Sequence, residues 1–146
     1  MKKAIINRDN LDKKYIITHN EDINGHELLK YIQQYSLLIN NQNITKVGIF
    51  SENRVEWVYA LYAALQSNCI AVPIDYMASA EDVAYIIDDC KPEILFISAA
   101  MTETYTKVRQ KKALLNPKLS SLKIILPFPI KMKVHGSDLM TTIQLL

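Results

Sequence analysis

Three short apolar runs, Val47–Phe50, Ile70–Ile74 and Ile94–Ile97, alternate with two stretches of helical pattern between Ile44 and Ser98. This alternation restricts the fold more than any other feature of the chain. Short aliphatic and β-branched runs bounded by turn residues read as strands. The helical stretches between them are long enough to serve as crossover connections, which parallel strands require. The expected fold is therefore α/β, a mostly parallel sheet built from βαβ units and flanked by helices. Each run is apolar on consecutive residues instead of every second one, as in a strand covered by helices on both faces.

Three capping patterns punctuate the chain. Asn24 with Glu27, Asn53 with Glu56 and Ser79 with Asp82 each place a short polar side chain three residues before an acidic one, the arrangement that opens a helix. After the first, Leu28, Ile32, Tyr35, Ser36 and Ile39 share one side, Leu29 widens that stripe, and Lys30, Gln33 and Gln34 take the wet side. After the second, Val55–Leu65 is apolar nearly all the way round, which predicts a helix buried on more than one side, with Trp57 buried. After the third, Ala80, Val83, Ala84, Ile86, Ile87 and Cys90 form the apolar side of a helix over Ala80–Asp89, and Pro92 stops it. Before these elements, Lys14–Thr18 reads as a short strand followed by a turn at His19–Asp22. Beyond them, Glu103–Leu114 reads as a helix, Lys123–Leu126 as a strand, and Ile130, Met132 and Val134 alternate like a half-exposed strand. Pro73 removes a ladder donor and is expected to mark the end of pairing in its strand.

At 146 residues the chain is expected to form a single partial domain over residues 1–146. Residues 14–98 carry the βα core, and residues 99–146 form a divergent C-terminal extension. Hydrophobic residues make up 49% and charged residues 22%, which excludes disorder as the main state. A net charge of +2 from 17 scattered basic residues gives no nucleic-acid footprint. Cys69 and Cys90 lie in apolar surroundings without a metal or redox spacing, so both are expected to be buried free thiols. No apolar run approaches the roughly 18 residues of a membrane span, and none near the N-terminus suits a signal peptide. The expected location is cytoplasmic. The ending Ile143-Gln144-Leu145-Leu146 is apolar and is expected either to be buried or to be the cut edge of something longer.

The search for chemistry is largely negative. Only three glycines are present, Gly25, Gly48 and Gly136, too few and too far apart for either phosphate-cradling glycine motif. Phe50-Ser51-Glu52-Asn53 occupies the place of a first βα turn, but Glu52 and Glu56 would repel phosphate. His19, His26 and His135 lack a second ligand at helical spacing. Ser98 lacks the glycines of a nucleophile elbow. Asp75 follows a strand at the edge where open α/β sheets bind ligands, though a loop carboxylate that caps or is solvated accounts for it. Asp88 and Asp89 are adjacent on a helix, so their carboxylates diverge. Tyr59, Tyr62, Tyr76 and Tyr85 are expected to be packing residues.

In order along the chain, V-G-I-F-S-E-N-R-V-E-W-V-Y-A-L-Y-A-A-L, A-V-P-I-D and S-A-E-D-V-A-Y-I-I-D-D resemble the N-terminal region of the AMP-forming adenylating enzymes. These comprise the acyl-CoA synthetases, the adenylation domains of peptide synthetases and the luciferases. The resemblance runs from about Lys14 to Ser98 and implies the first part of their large N-terminal domain. It also implies the family's reaction, adenylation of a carboxylate by Mg-ATP and transfer of the acyl group to a thiol, usually that of coenzyme A. The family's T-S-G-T-T-G-x-P-K loop, its aromatic-Gly-x-T-E segment, its ribose-binding Asp and its catalytic Lys have no match here, and Thr141-Thr142 does not replace the loop. No catalytic, cofactor-binding or metal-binding residue is therefore carried over. ATP, Mg and coenzyme A are implied for the full-length family, with none bound by this chain alone. Three readings follow. The first is an N-terminal portion of an acid–thiol ligase, of the long-chain fatty acid or another acyl-CoA synthetase type, inactive by itself. The second is a non-catalytic interaction module or separately encoded half of a split ligase. Its partner would be the rest of the ligase, bound at the apolar C-terminal edge. The third, a self-contained nucleotide-binding domain, is opposed by the glycine count.

Overall fold

The computed structural model describes residues 8–40, 44–115 and 124–127. A two-stranded antiparallel hairpin, β1 (Lys14–Ile17) and β2 (Asp22–Asn24), leads into helix α1 (Gly25–Asn40). The sheet then alternates with helices: β3 (Lys46–Phe50), α2 (Val55–Gln66), β4 (Ile70–Ile74), α3 (Ala80–Cys90), β5 (Ile94–Ile97), α4 (Thr102–Leu115) and β6 (Ile124–Pro127). The strand order is β4-β3-β5-β6 and every pair in it is parallel.

The consecutive apolar residues of the strands divide between two cores. Val47 and Ile49 of β3, with Ile94 and Phe96 of β5, face α1 and α2. Phe50, Leu95 and Ile97 point the other way, toward Val83 and Ile87 of α3 and Val108 of α4. β3 and β5 are covered on both faces, as their unbroken apolar runs predict, but the equally apolar run of β4 is not: it is an edge strand in which only Ile74 is buried and Ile70 and Pro73 are exposed. On the first face Tyr35 packs on Phe96 with ring centroids 5.3 Å apart, and Tyr59 stacks on Tyr31 at 4.8 Å. Fully burying a side chain of Phe96's size contributes about 2–3 kcal/mol.

The helix starts follow their caps in two cases of three. The Asn24 side chain accepts the Glu27 N–H at 3.0 Å, and the Glu27 carboxylate accepts the Asn24 N–H at 3.2 Å. The Ser79 hydroxyl oxygen accepts the Asp82 N–H at 3.2 Å. The third expectation is corrected. Helix α2 begins at Val55, so the cap position falls on Arg54, whose side chain makes no cap hydrogen bond. Asn53 is one residue too early, and Glu56 is engaged by the Arg54 guanidinium instead.

Gly25 is required by a close approach. Its N–H donates to the Leu11 carbonyl at 2.7 Å, and a Cβ there would lie 2.8 Å from Leu11 Cα, inside contact with main chain that cannot step aside. The hairpin can sit against the start of α1 only because this residue has no side chain.

Pro73 does not end its strand. It lies opposite Ile49, and pairing continues to Phe50 opposite Ile74. The Ile70 N–H donates to Thr45 O, toward β3. In a parallel strand alternate residues bond to the same side, so Ile70, Val72 and Ile74 bond to β3 while Ala71 and Pro73 bond outward. The missing donor of Pro73 therefore falls on the outer edge, where it costs no ladder bond. Two burial expectations also change. Cys69 is buried but Cys90 is only half-buried. Helix α2 is fully buried along one side, through Tyr59, Ala60, Ala63 and Ala64, while Val55, Trp57, Leu61 and Tyr62 are half-buried against the same core and Leu65 is exposed. Helix α4 and β6 extend the parallel sheet on the β5 side. The alternation expected at Ile130, Met132 and Val134 and the apolar ending lie outside the described residues.

Candidate functional site

In an open parallel sheet, ligands bind beyond the carboxyl ends of two neighbouring strands whose following helices leave for opposite faces. Here those strands are β3 and β5. The chain leaving β3 enters α2 on one face, and the chain leaving β5 enters α4 on the other. The residues placed in that crevice are Ser51 and Glu52 after β3 and Ser98 after β5. The register sets Phe50 beside Ile97 and the Ser98 N–H donates to Phe50 O, so the residues that follow the two strands are neighbours.

What fills the crevice is a carboxylate. The Ser98 hydroxyl, fully buried, donates a short hydrogen bond to Glu52 Oε2. The buried Ser51 donates to the Glu52 carbonyl at 2.9 Å. Arg54 lies 3.4 Å from Glu52 Oε1 and grips Glu56 with two nitrogens, at 2.8 and 3.0 Å. Burial by itself would raise the Glu52 carboxyl, but the Ser98 hydrogen bond, its own main-chain N–H, the Arg54 charge and Ser51 together bring it below the usual carboxylate range. The Glu56 pairing raises Arg54, against the opposing effect of its partial burial.

The chemistry open to this group is narrow. An ionised carboxylate of lowered basicity is a poor base for the Ser98 hydroxyl, which already spends its proton on it. A negative charge in the crevice repels phosphate groups instead of cradling them. Gly25 sits at the start of α1 and Gly48 within β3, so neither supplies a bare backbone loop at the crevice. Among the described residues no group of three or more His, Cys, Asp or Glu could hold a metal ion. The described residues thus do not fit a magnesium–nucleotide complex, and no chemical step is derived through one.

The other residues weighed from sequence are scattered. Asp75 is exposed after the edge strand β4 and accepts the Met77 N–H at 2.9 Å, an Asx turn. His19 is exposed in the hairpin turn, and His26 lies in the first turn of α1 with Nε2 3.5 Å from Asp12. His135 lies outside the described residues. Asp88 and Asp89 follow one another near the end of α3. Tyr59 packs as expected, and its burial pushes the phenol pKa well up. Tyr62 is half-buried. Tyr76 and Tyr85 are not packing residues: they are exposed, Tyr85 at 72% because it points directly away from Val83 and Ile87 on α3. No helix among the described residues is long and apolar enough to cross a membrane.

Sequence reasoning treated Ser98 and Glu52 separately. Their meeting depends on β5 lying beside β3 and not beside β4, and short apolar runs do not encode strand order.

A doubly wound parallel α/β unit with its switch point between β3 and β5 defines the class. Within it, the chain belongs to the AMP-binding enzyme family, whose model matches residues 4–135. The anthranilate CoA ligase AuaEII, solved with anthranoyl-AMP, is similar over 82% of this chain and 22% of its own, with a TM-score of 0.73 and 17% identity. A long-chain-fatty-acid-CoA ligase of Archaeoglobus fulgidus gives a TM-score of 0.64 at 17% identity, over 82% of this chain and 23% of its own. At such identities the likeness is one of fold. A polyketide synthase-nonribosomal peptide synthetase of Aspergillus clavatus is 28% identical over 74 residues, 49% of this chain and 2% of that protein. The chain thus spans less than a quarter of the length of these two ligases, and a far smaller share of the synthetase.

Proposed function

We propose that this chain is an N-terminal structural portion of an AMP-forming acid–thiol ligase. It supplies sheet and helices to an adenylating domain and has no adenylating activity by itself. The observation that carries this reading is the crevice between β3 and β5, occupied by Glu52 and closed by Ser98 and Arg54. Membership of the AMP-binding family supports ATP-dependent adenylation of a carboxylic acid as the activity of the whole ligase. The likeness to acyl- and aryl-CoA ligases supports a coenzyme A-type thiol as the acceptor. Donors around the triphosphate, a magnesium ion and a cation at the α-phosphate, which that reaction needs, come from segments other than those described.

ATP–pyrophosphate exchange tests this directly. The isolated chain, offered a panel of aliphatic and aromatic acids, is expected to exchange no faster than a protein-free blank. Exchange that scales with the concentration of this chain would defeat the proposal. A second reading, a separately encoded half of a split ligase, draws support from Leu65 and Ile70, apolar side chains 47% and 60% exposed where α2 hands over to β4. Copurification from the source organism with a chain bearing the missing phosphate loop would select it, and a gene in which that loop follows in frame would rule it out.

A further inference from the structure

We propose that Asn24-Gly25 is a self-modification site, a latent succinimide-forming pair that the N-terminal hairpin keeps silent while it is docked on α1. The sequence contains no other Asn-Gly pair. Asparagine is among the thermolabile residues, and a following glycine has no side chain to shield its nitrogen from the asparagine Cγ. The glycine N–H proton leaves to base, a new N–Cγ bond closes a cyclic imide, and the side-chain nitrogen departs as ammonia. Water then opens the ring at either carbonyl. One product is aspartate. The other is isoaspartate, in which the main chain runs through Cβ and Cγ and the α-carboxylate becomes the side chain.

In the fold both reacting groups are engaged. The buried Gly25 N–H donates to Leu11 O at 2.7 Å and to Lys13 O at 3.2 Å, so two carbonyls hold the proton that must leave. The Asn24 side-chain oxygen accepts the Glu27 N–H at 3.0 Å, which fixes it as the cap of α1, and the Asn24 N–H is tied to the Glu27 carboxylate at 3.2 Å. Ring closure has to give up these bonds together, and so waits for the hairpin to lift. The hairpin is held lightly. Three of the four residues of β1 are exposed, the Lys14–Asp22 ion pair across it is on the surface, and Leu11, Ile16 and Ile23 make its apolar contact with the core. Isoaspartate does not fit the closed state. It lengthens the main chain immediately before Gly25, where a Cβ would already lie 2.8 Å from Leu11 Cα, and it moves the cap oxygen away from the Glu27 N–H. Aspartate keeps the main chain and is an equally good cap. The glycine that docking requires is thus the residue that makes its neighbour labile, and isoaspartate formation is a one-way record of hairpin opening.

The test incubates the full 146-residue chain in mildly alkaline buffer, native and in denaturing urea, and reads conversion at Asn24 by peptide mass mapping and isoaspartyl methyltransferase labelling. Conversion is expected to be at least tenfold slower in the native chain. Leu11→Ala with Ile16→Ala, which loosens the hairpin without touching the Asn-Gly pair, is expected to convert at least threefold faster than wild type under native conditions. Circular dichroism checks that this variant is folded; if it is not, each single variant takes its place with the same expectation. Equal rates in buffer and urea, no conversion in urea, or folded variants no faster than wild type would each overturn the proposal. Hydrogen exchange at the Gly25 amide tests the record itself. Protection is expected to be lost in the refolded isoaspartate chain and kept in Asn24→Asp, and wild-type protection in the isoaspartate chain would overturn it.

Discussion

Glu93 fastens the amino ends of β3 and β5, and Glu52 fastens their carboxyl ends. At the amino end, the Glu93 carboxylate accepts the Thr45 and Lys46 N–H groups at 3.1 and 2.7 Å and the Thr45 hydroxyl at 2.9 Å. Lys46 Nζ in turn donates to the Cys90 carbonyl at 2.9 Å, satisfying one of the orphan acceptors at the end of α3. Burial raises the Glu93 carboxyl, but the bonds from Lys46 and Thr45 outweigh it and leave the pKa lowered. At the carboxyl end the donors to Glu52 are largely side chains, Ser98, Arg54 and Ser51, each a specific choice of residue. Main-chain donors are available in any sequence, whereas three side-chain donors gathered around one carboxylate are not. The ligand edge of this sheet is therefore built as a second staple, closed by the chain's own anion. On the function proposed above, reaction chemistry comes from other parts of a ligase.

The comparison can be broken by removing each staple in turn. Glu93→Ala strips the acceptor from two backbone donors and a hydroxyl, and is expected to cost about 2–3 kcal/mol in a urea unfolding series. A loss below about 0.5 kcal/mol would mean that water replaces the carboxylate without penalty. Glu52→Ala leaves the Ser98 hydroxyl buried without its acceptor but keeps the Arg54–Glu56 pair, so a smaller loss of about 1–2 kcal/mol is expected. Adding Ser98→Ala should recover part of that loss. A double-mutant cycle with a coupling near zero would show that the two groups do not act as a unit.

Acid sharpens the same contrast. Both carboxyls are held below their ordinary value of 4.5 in the fold. Their stabilisation is complete above that value and is lost as the pH falls through the lowered ones, because the unfolded chain takes up protons first. Urea midpoints should drop between pH 5 and pH 3, and Glu93→Gln and Glu52→Gln should each flatten that drop. An unchanged acid limb in both variants would count against the two staples. The smallest expected effect concerns the caps. Ser79→Ala is expected to cost about 1 kcal/mol, whereas Asn53→Ala should fall within about 0.5 kcal/mol of wild type because Asn53 caps nothing.

Much of the fold was legible in the residues. The unbroken runs V-G-I-F and I-L-F-I announced strands covered on both faces, and the Asn24–Glu27 and Ser79–Asp82 pairs marked helix starts that the structure keeps. Asn53 misled because it stands in the same relation to Glu56 as Asn24 does to Glu27. Arg54 decides the matter: its guanidinium takes the Glu56 carboxylate two residues on, and the helix opens one position later. Pro73 misled because its cost depends on which side of the strand its nitrogen faces, and that follows from register, not composition. How deeply α2 is buried could not be read either, since an all-round apolar pattern does not say which residue, here Leu65, is left exposed. For the site, Glu52 and Ser98 were visible as residues but not as partners, because strand order is set by how the crossover helices pack.

Isothermal titration of the chain with magnesium and ATP tests the central claim, that the crevice between β3 and β5, lined by Glu52 and without a glycine loop, takes no nucleotide. The account predicts no heat beyond dilution up to millimolar ATP, for wild type and for Glu52→Gln alike, since neither supplies a backbone cradle. Saturable one-to-one binding by the wild-type chain would contradict it.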